Sequence, residues 1–214
     1  KPDSCVPTLP TISMPPSLEG WGSVSGDKGG WIVSNESLRE ITLESKSMFQ
    51  GKLINLRVDT IRLPNGRVAT REVAEHCDSV CIVPIDDNGD VVLVRQYRTP
   101  VKKALLELPA GGVEDGEVSQ DTVQRELQEE IGYRAGNLKH LSSFWLAPGW
   151  CDEFMHTYLA TDLVESKLVG DDDENIVVER VSLDRALELI GTGEIEDVKS
   201  IAGLLLAMRV LRDN

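Results

Sequence analysis

Apolar and polar positions change period along this chain, and each change marks an expected element. Residues 1–30 contain Pro2, Pro7, Pro10, Pro15 and Pro16 among several Gly and Ser and hold no sustained period, so an extended tail is expected there. Trp21 and Trp31 argue that part of it packs against a surface. From 31 to about 75 the alternation is that of strands. Ile54, Leu56, Val58 and Thr60 alternate with Leu53, Asn55, Arg57 and Asp59, which puts the apolar residues on one face, and Pro64-Asn65-Gly66 reads as a hairpin turn. A three-stranded antiparallel sheet over 31–77 follows. A sheet with one apolar face and so few residues must pack on the main domain or on a second subunit.

The pattern beyond 78 predicts one larger domain, 78–214. The apolar runs 80–85 and 91–94, on either side of Asn88-Gly89, read as two core strands. A loop over 99–103 and a segment 104–110 lead to a helix that starts at Val118 or Ser119 and runs to Ile131. There Val123, Leu127 and Ile131 recur every four residues as one apolar stripe. Ser119 suits the N-cap, Asp121 the positive first turn, and Gly132 a left-handed end. Residues 140–146, 153–160 and 176–182 read as strands, and 183–190 and 200–211 as helices, the last apolar enough to be buried. No repeat is present, and the mixture predicts an α+β or α/β sandwich.

Charge adds a question to this outline. On a helix, Glu126, Glu129 and Glu130 stand at i, i+3 and i+4, so their carboxylates share one side beside the apolar stripe. Like charges so placed repel, and a divalent cation resolves the conflict by taking hard oxygens as ligands. The chain has 214 residues, 41% of them hydrophobic, enough for a core in one domain with or without a small appendage. Its 22 basic and 36 acidic residues give a net charge of −14, which disfavours nucleic acid as a partner. No apolar run approaches the roughly 20 residues of a membrane span, and no leader pattern is read at the start. Cys5, Cys77, Cys81 and Cys151 lack paired CxxC spacing, so free thiols in a reducing compartment, the cytoplasm, are expected. The start at Lys1 suggests a processed or trimmed product.

Gly111, five residues, Glu117, seven residues, then Arg125-Glu126-Leu127-Gln128-Glu129-Glu130-Ile131-Gly132-Tyr133 resembles the complete signature of the Nudix hydrolase family. That resemblance implies an α/β/α sandwich with a mixed sheet, here preceded by the small antiparallel N-terminal sheet. It also implies hydrolysis of a nucleoside diphosphate linked to another moiety, with Mg²⁺ or Mn²⁺ held by the helix glutamates. Glu126, Glu129 and Glu130 are then the metal ligands, Glu129 also acts in catalysis, and Arg125 orients a glutamate by ion pairing.

The flanks resemble the ADP-ribose or ADP-sugar pyrophosphatase branch: RQYR at 95–98, ELPAG at 107–111, APG at 147–149, and Pro148 fifteen residues beyond Tyr133. By that resemblance the Ala110 carbonyl joins the metal, Arg98 meets the diphosphate, Arg71 lies near the substrate and Glu153 by the ribose. Glu107 is either structural or part of the site. Trp150 either stacks on the base or fills the core. The branch carries a catalytic glutamate in a late loop, and alignment of the acidic run 171–174 selects Glu174 as the base. Two departures, EHCDSV at 75–80 and Trp150-Cys151 after APG, adjoin the expected nucleotide pocket and bear on substrate preference. The substrate implied is ADP-ribose, with ADP-glucose, GDP-mannose or UDP-glucose as alternatives and a non-cleaving nucleotide sensor as another. A homodimer built on the N-terminal sheet is expected.

Overall fold

The computed structural model describes residues 35–170 and 175–212. Contacts divide the chain into two units, Lys1–Leu38 and Arg39–Asn214. In the first, one short helix, α1 (Asn35–Leu38), is described; the expected tail with Trp21 and Trp31 lies outside the described residues.

The second unit opens with the anticipated antiparallel sheet, β1 (Ile41–Gln50), β2 (Asn55–Arg62) and β3 (Val68–Glu75), in that order. Its hairpin turn closes through Leu63 and Gly66, whose N–H donates to the Leu63 carbonyl at 2.9 Å. The face carrying Asp59 and Ile61 is the more deeply buried, whereas Leu56 and Val58 are half-buried and Ile54 is exposed. Asp59 tolerates burial because Arg57, on the same face, donates to its carboxylate and also to Glu75 at 2.8 Å.

The rest forms two sheets between helices. β4 (Ser79–Pro84), β7 (Ala110–Gly112), β8 (Tyr133–Trp145) and β9 (Phe154–Glu165) make a sheet of order β7-β4-β9-β8, in which β4 and β9 run parallel and the other pairs antiparallel. β5 (Asp90–Arg98), β6 (Lys103–Glu107) and β10 (Ile176–Ser182) make an antiparallel sheet of order β10-β5-β6. The two strands on either side of Asn88-Gly89 therefore do not stay paired: beyond the Ile85–Val91 bridge they part into different sheets. Each is apolar on both faces and so can be covered on both sides.

Alternation along β4 and β5 sorts the core into two layers. Cys81, Val83, Val91 and Leu93 face α3 (Leu183–Thr192) and α4 (Val198–Arg212), meeting Ala186, Leu189, Leu204 and Ala207. Val80, Ile82, Val92 and Val94 face α2 (Ser119–Glu126) and its continuation, meeting Val123, Leu127 and Ile131. The result is an α/β/α sandwich with a mixed sheet. No helix among the described residues is long and apolar enough to cross a membrane.

Helix α2 departs from expectation at both ends. Val118 is the N-cap and no side chain caps it; the Ser119 hydroxyl instead meets the Tyr158 hydroxyl at 2.7 Å. The last turn, Leu127–Ile131, widens into a π-helix before Gly132 ends it at φ 78°. The Gln128 carbonyl in that turn accepts from Leu168 N–H at 3.1 Å, tying the loop after β9 to the helix. The thiols are free at Cys77, Cys81 and Cys151, but only Cys81 is buried; Cys77 is exposed.

Candidate active site

The carboxylate side of α2 faces the short strand β7, and close approach sets the geometry. A Cβ on Gly111 would run into the Glu126 carboxylate, so only glycine admits that side chain here. Next to it, Ala110 N–H donates to Glu130 Oε2 at 3.2 Å. Glu126 and Glu130 are both buried.

Arg125 gathers the acidic groups. Its Nε and Nη2 form a fork to Glu117 at 3.0 and 3.2 Å, Nη1 reaches Glu126 Oε1 at 2.7 Å and Glu129 Oε2 at 3.0 Å, and Nη2 also donates to the Gly112 carbonyl at 2.9 Å. Burial works against the arginine's charge, but Glu117, Glu126 and Glu129 outweigh it and raise its pKa. Hydrogen bonds from Arg125 hold Glu117 down at about 2 against the opposing effect of burial, helped by Thr122 Oγ1 at 2.9 Å and the Glu114 N–H at 3.2 Å. Arg125 is thus paired with three glutamates at once.

Arg125 and two of its partners, Glu126 and Glu129, border a cavity of about 600 Å³, a size that suits a small-molecule ligand, whereas Glu130 and Glu117 do not line it. Ala110, Arg125, Glu126 and Glu129 lie on one side, with Arg98 and Glu153 also in the lining. Glu153 Oε1 accepts from Ser79 Oγ at 2.9 Å. Arg98 forms a fork to Glu107, Nε to Oε1 at 3.0 Å and Nη2 to Oε2 at 2.8 Å, so Glu107 stands behind a lining residue without lining the cavity itself. That hydrogen bonding raises the pKa of Arg98 against the effect of burial.

Other expected residues lie elsewhere. Arg71 is paired with Glu40 at 2.5 Å and does not line this cavity. Neither does Pro148, exposed in the turn closed by Trp150 N–H to the Ala147 carbonyl at 3.0 Å. Trp150 is 62% exposed rather than in the core. Glu174 lies outside the described residues.

The sequence reading missed Lys52 and Lys199 as lining residues, whereas His76 lines the cavity from the segment 75–80 that was expected beside the pocket. His76 Nδ1 donates to the Cys77 carbonyl at 2.7 Å, and a carbonyl can only accept, so that nitrogen carries the proton. The signal for Lys199 was a cation at the start of a helix whose next eight positions beyond Ser200 are apolar or glycine.

By donor type the site fits a hard divalent cation: three carboxylates and a neighbouring backbone carbonyl are oxygen ligands of the kind such ions take. The carboxylates are not gathered into a cage, since among the described residues no three acidic, histidine or cysteine side chains stand ready to hold an ion. Arg125 engages one oxygen each of Glu126 and Glu129, and a cation would have to share or displace it.

Comparison with known proteins agrees with this geometry. Residues 75–203 match the NUDIX domain model, and residues 40–74 match the model of the nucleoside diphosphate sugar hydrolase N-terminal domain. The chain is 38% identical over 167 residues to the ADP-ribose pyrophosphatase of Bacillus subtilis (strain 168), covering 77% of this chain and 90% of that one. It is 37% identical over 164 residues to the methanol dehydrogenase activator of Bacillus methanolicus, covering 76% and 89%. The fold superposes on the crystal structure of an ADP compounds hydrolase with a TM-score of 0.75 at 24% identity, covering 82% of this chain and 95% of that one. With its signature intact around Arg125 and most of its length matched, the chain belongs to the NUDIX family and is a Nudix hydrolase.

Proposed function

We propose that this enzyme hydrolyses the diphosphate of ADP-ribose, giving AMP and ribose 5-phosphate, with Mg²⁺ or Mn²⁺ as its cofactor. The observation that carries the reading is the pairing, across one cavity, of the α2 carboxylates with Arg98 and Glu153. A diphosphate is a double anion and would be repelled by the glutamates alone. Arg98 supplies fixed positive charge, and Glu126, Glu129, Glu130 and the Ala110 carbonyl would hold the metal. The metal would neutralise charge on the phosphate oxygens and activate water. The similarity to an ADP-ribose pyrophosphatase and to an ADP compounds hydrolase supports the choice of nucleotide.

The chain's own residues divide the remaining work. Arg98 takes a phosphate oxygen, Glu153 with Ser79 accepts from a ribose hydroxyl, and Arg125 keeps Glu126 and Glu129 turned toward the cavity. Water adds across the P–O–P bridge: its oxygen goes to one phosphorus, the bridging oxygen leaves with the other, and a carboxylate takes the proton. Glu174 is the proposed base, so Glu174→Gln lowers kcat by about 10²-fold or more. A loss below about tenfold would assign that proton to another group, Glu129 first.

The match of residues 40–74 to a nucleoside diphosphate sugar hydrolase domain favours a second substrate set, ADP-glucose, GDP-mannose and UDP-glucose. We also infer a cytoplasmic homodimer. Ile41, Leu43, Met48, Phe49 and Ile54 leave an exposed apolar surface on and beside the N-terminal sheet, and in a dimer Arg71 and Trp150 would approach the partner's cavity. The test is a product assay over these nucleotides with and without Mg²⁺. AMP and ribose 5-phosphate from ADP-ribose, formed only with metal, is the expected result. Preference for another sugar by tenfold or more would transfer the assignment to it.

A further inference from the structure

We propose that Lys199, at the start of α4, is a positioning residue that fixes Glu107 and, through it, aims the Arg98 guanidinium at the substrate. The inference rests on the reading that Arg98 meets the diphosphate, and it adds the group that makes Arg98 effective.

Lys199 is 8% exposed and Glu107 2% exposed. Burying a lysine costs free energy unless its charge is matched, and a Leu or Met would serve an apolar helix as well. The charge is matched twice: Nζ donates to Glu107 Oε2 at 2.5 Å and to Asp197 Oδ2 at 2.7 Å. Both contacts outweigh burial and keep the lysine charged.

The arrangement is closed as well as paired. Asp197 Oδ2 also accepts the Ser200 N–H at 3.0 Å and its hydroxyl at 2.6 Å, which pins Asp197 to the first turn of α4. Ser200 Oγ in turn accepts the Leu108 N–H at 2.7 Å, one residue beyond Glu107. Glu107, Lys199, Asp197, Ser200 and the Leu108 backbone therefore form a ring joining α4 to the segment between β6 and β7. Within it Glu107 cannot rotate without breaking a charged contact. Its two oxygens present a fixed fork to Nε and Nη2 of Arg98, and a planar guanidinium held by a fork has its direction set. Arg98 and Lys199 both line the cavity, so the ring touches the wall through Lys199 and backs it through Glu107.

The test uses the full chain with saturating Mg²⁺ and the nucleotide the assay selects, comparing Lys199→Met, Lys199→Gln, Arg98→Ala and the Arg98→Ala/Lys199→Met double variant. Thermal unfolding reports folding in each. Expected is a KM raised at least about tenfold by Lys199→Met, with kcat within about threefold, because a misaimed charged contact is lost. In the Arg98→Ala background the same change moves KM by less than about twofold, since residues acting through one contact are not additive.

A kcat-only loss, or an undiminished effect of Lys199→Met in the Arg98→Ala background, overturns the inference and leaves the role of Arg98 standing. An unchanged KM in Arg98→Ala refutes the reading of Arg98 and the inference with it. If neither Met nor Gln at 199 folds, Lys199 serves the fold and the inference is overturned.

Discussion

Arg125 shows how one side chain can organise several like charges. Its five donors are directed at Glu117, Glu126, Glu129 and the Gly112 carbonyl, so repulsion among the carboxylates is offset before any cation arrives. Hydrogen bonds from Arg125 hold Glu117 low, and the sign of its pH effect follows. Its folded pKa, about 2, lies below the ordinary 4.5, so its contribution to stability is complete above 4.5 and is lost as pH falls toward 2. In urea titrations at several pH values, Glu117→Gln is expected to be less stable than the parent at pH 7, with the gap narrowing below about pH 4.5. A gap independent of pH would show that the Arg125–Glu117 pair does not set the dependence. Glu130→Gln, read by turnover and circular dichroism, is expected to abolish activity with the fold intact. Near-normal turnover would remove Glu130 from the metal site. These residues could be picked out because the signature names them; Lys199 could not, because its partner Glu107 is 92 positions away.

At the scale of elements, the helix 119–131 was readable from its four-residue stripe, and Gly132 from its place after the last apolar residue. The π turn was not, because it changes no position in the stripe: Leu127 and Ile131 remain buried on the same side. Gly132 has φ 78°, and the nearest atoms a Cβ would meet belong to Lys167 at 3.9 Å, so the demand there is conformational rather than steric. Gly132→Ala is expected to cost about 1–2 kcal/mol in chemical denaturation, the cost of a left-handed residue with a Cβ. A change under about 0.5 kcal/mol would mean that the turn relaxes. The N-cap shows the limit of local rules: Ser119 has the right chemistry, but the nearby Tyr158 hydroxyl takes its side chain.

For the whole molecule, the N-terminal sheet leaves apolar residues of β1 exposed. Phe49 is 56% exposed and stands with Ile41, Leu43 and Met48 on β1, an exposed apolar set that the proposed dimer would cover. Sedimentation is expected to give a dimer for the parent chain and a monomer for Phe49→Glu, with turnover falling at least about tenfold if Arg71 works across the interface. A fully active monomeric parent would refute the dimer and the cross-subunit role together.

Sequence alone determined what depends on neighbours within a few turns: the stripe and end of the signature helix, the strand runs 80–85 and 91–94, the hairpin turns, and the spacing that puts Glu126, Glu129 and Glu130 at i, i+3 and i+4. Only the tertiary structure decided which strands pair. The strands on either side of Asn88-Gly89 part because each is apolar on both faces and is covered twice over, a property that period cannot assign to one sheet or two. It also decided that Asp59 is buried and that α4 brings Lys199 to Glu107. Those outcomes rest on contacts between residues far apart in sequence, where burial must be matched charge by charge, and no local pattern encodes the match.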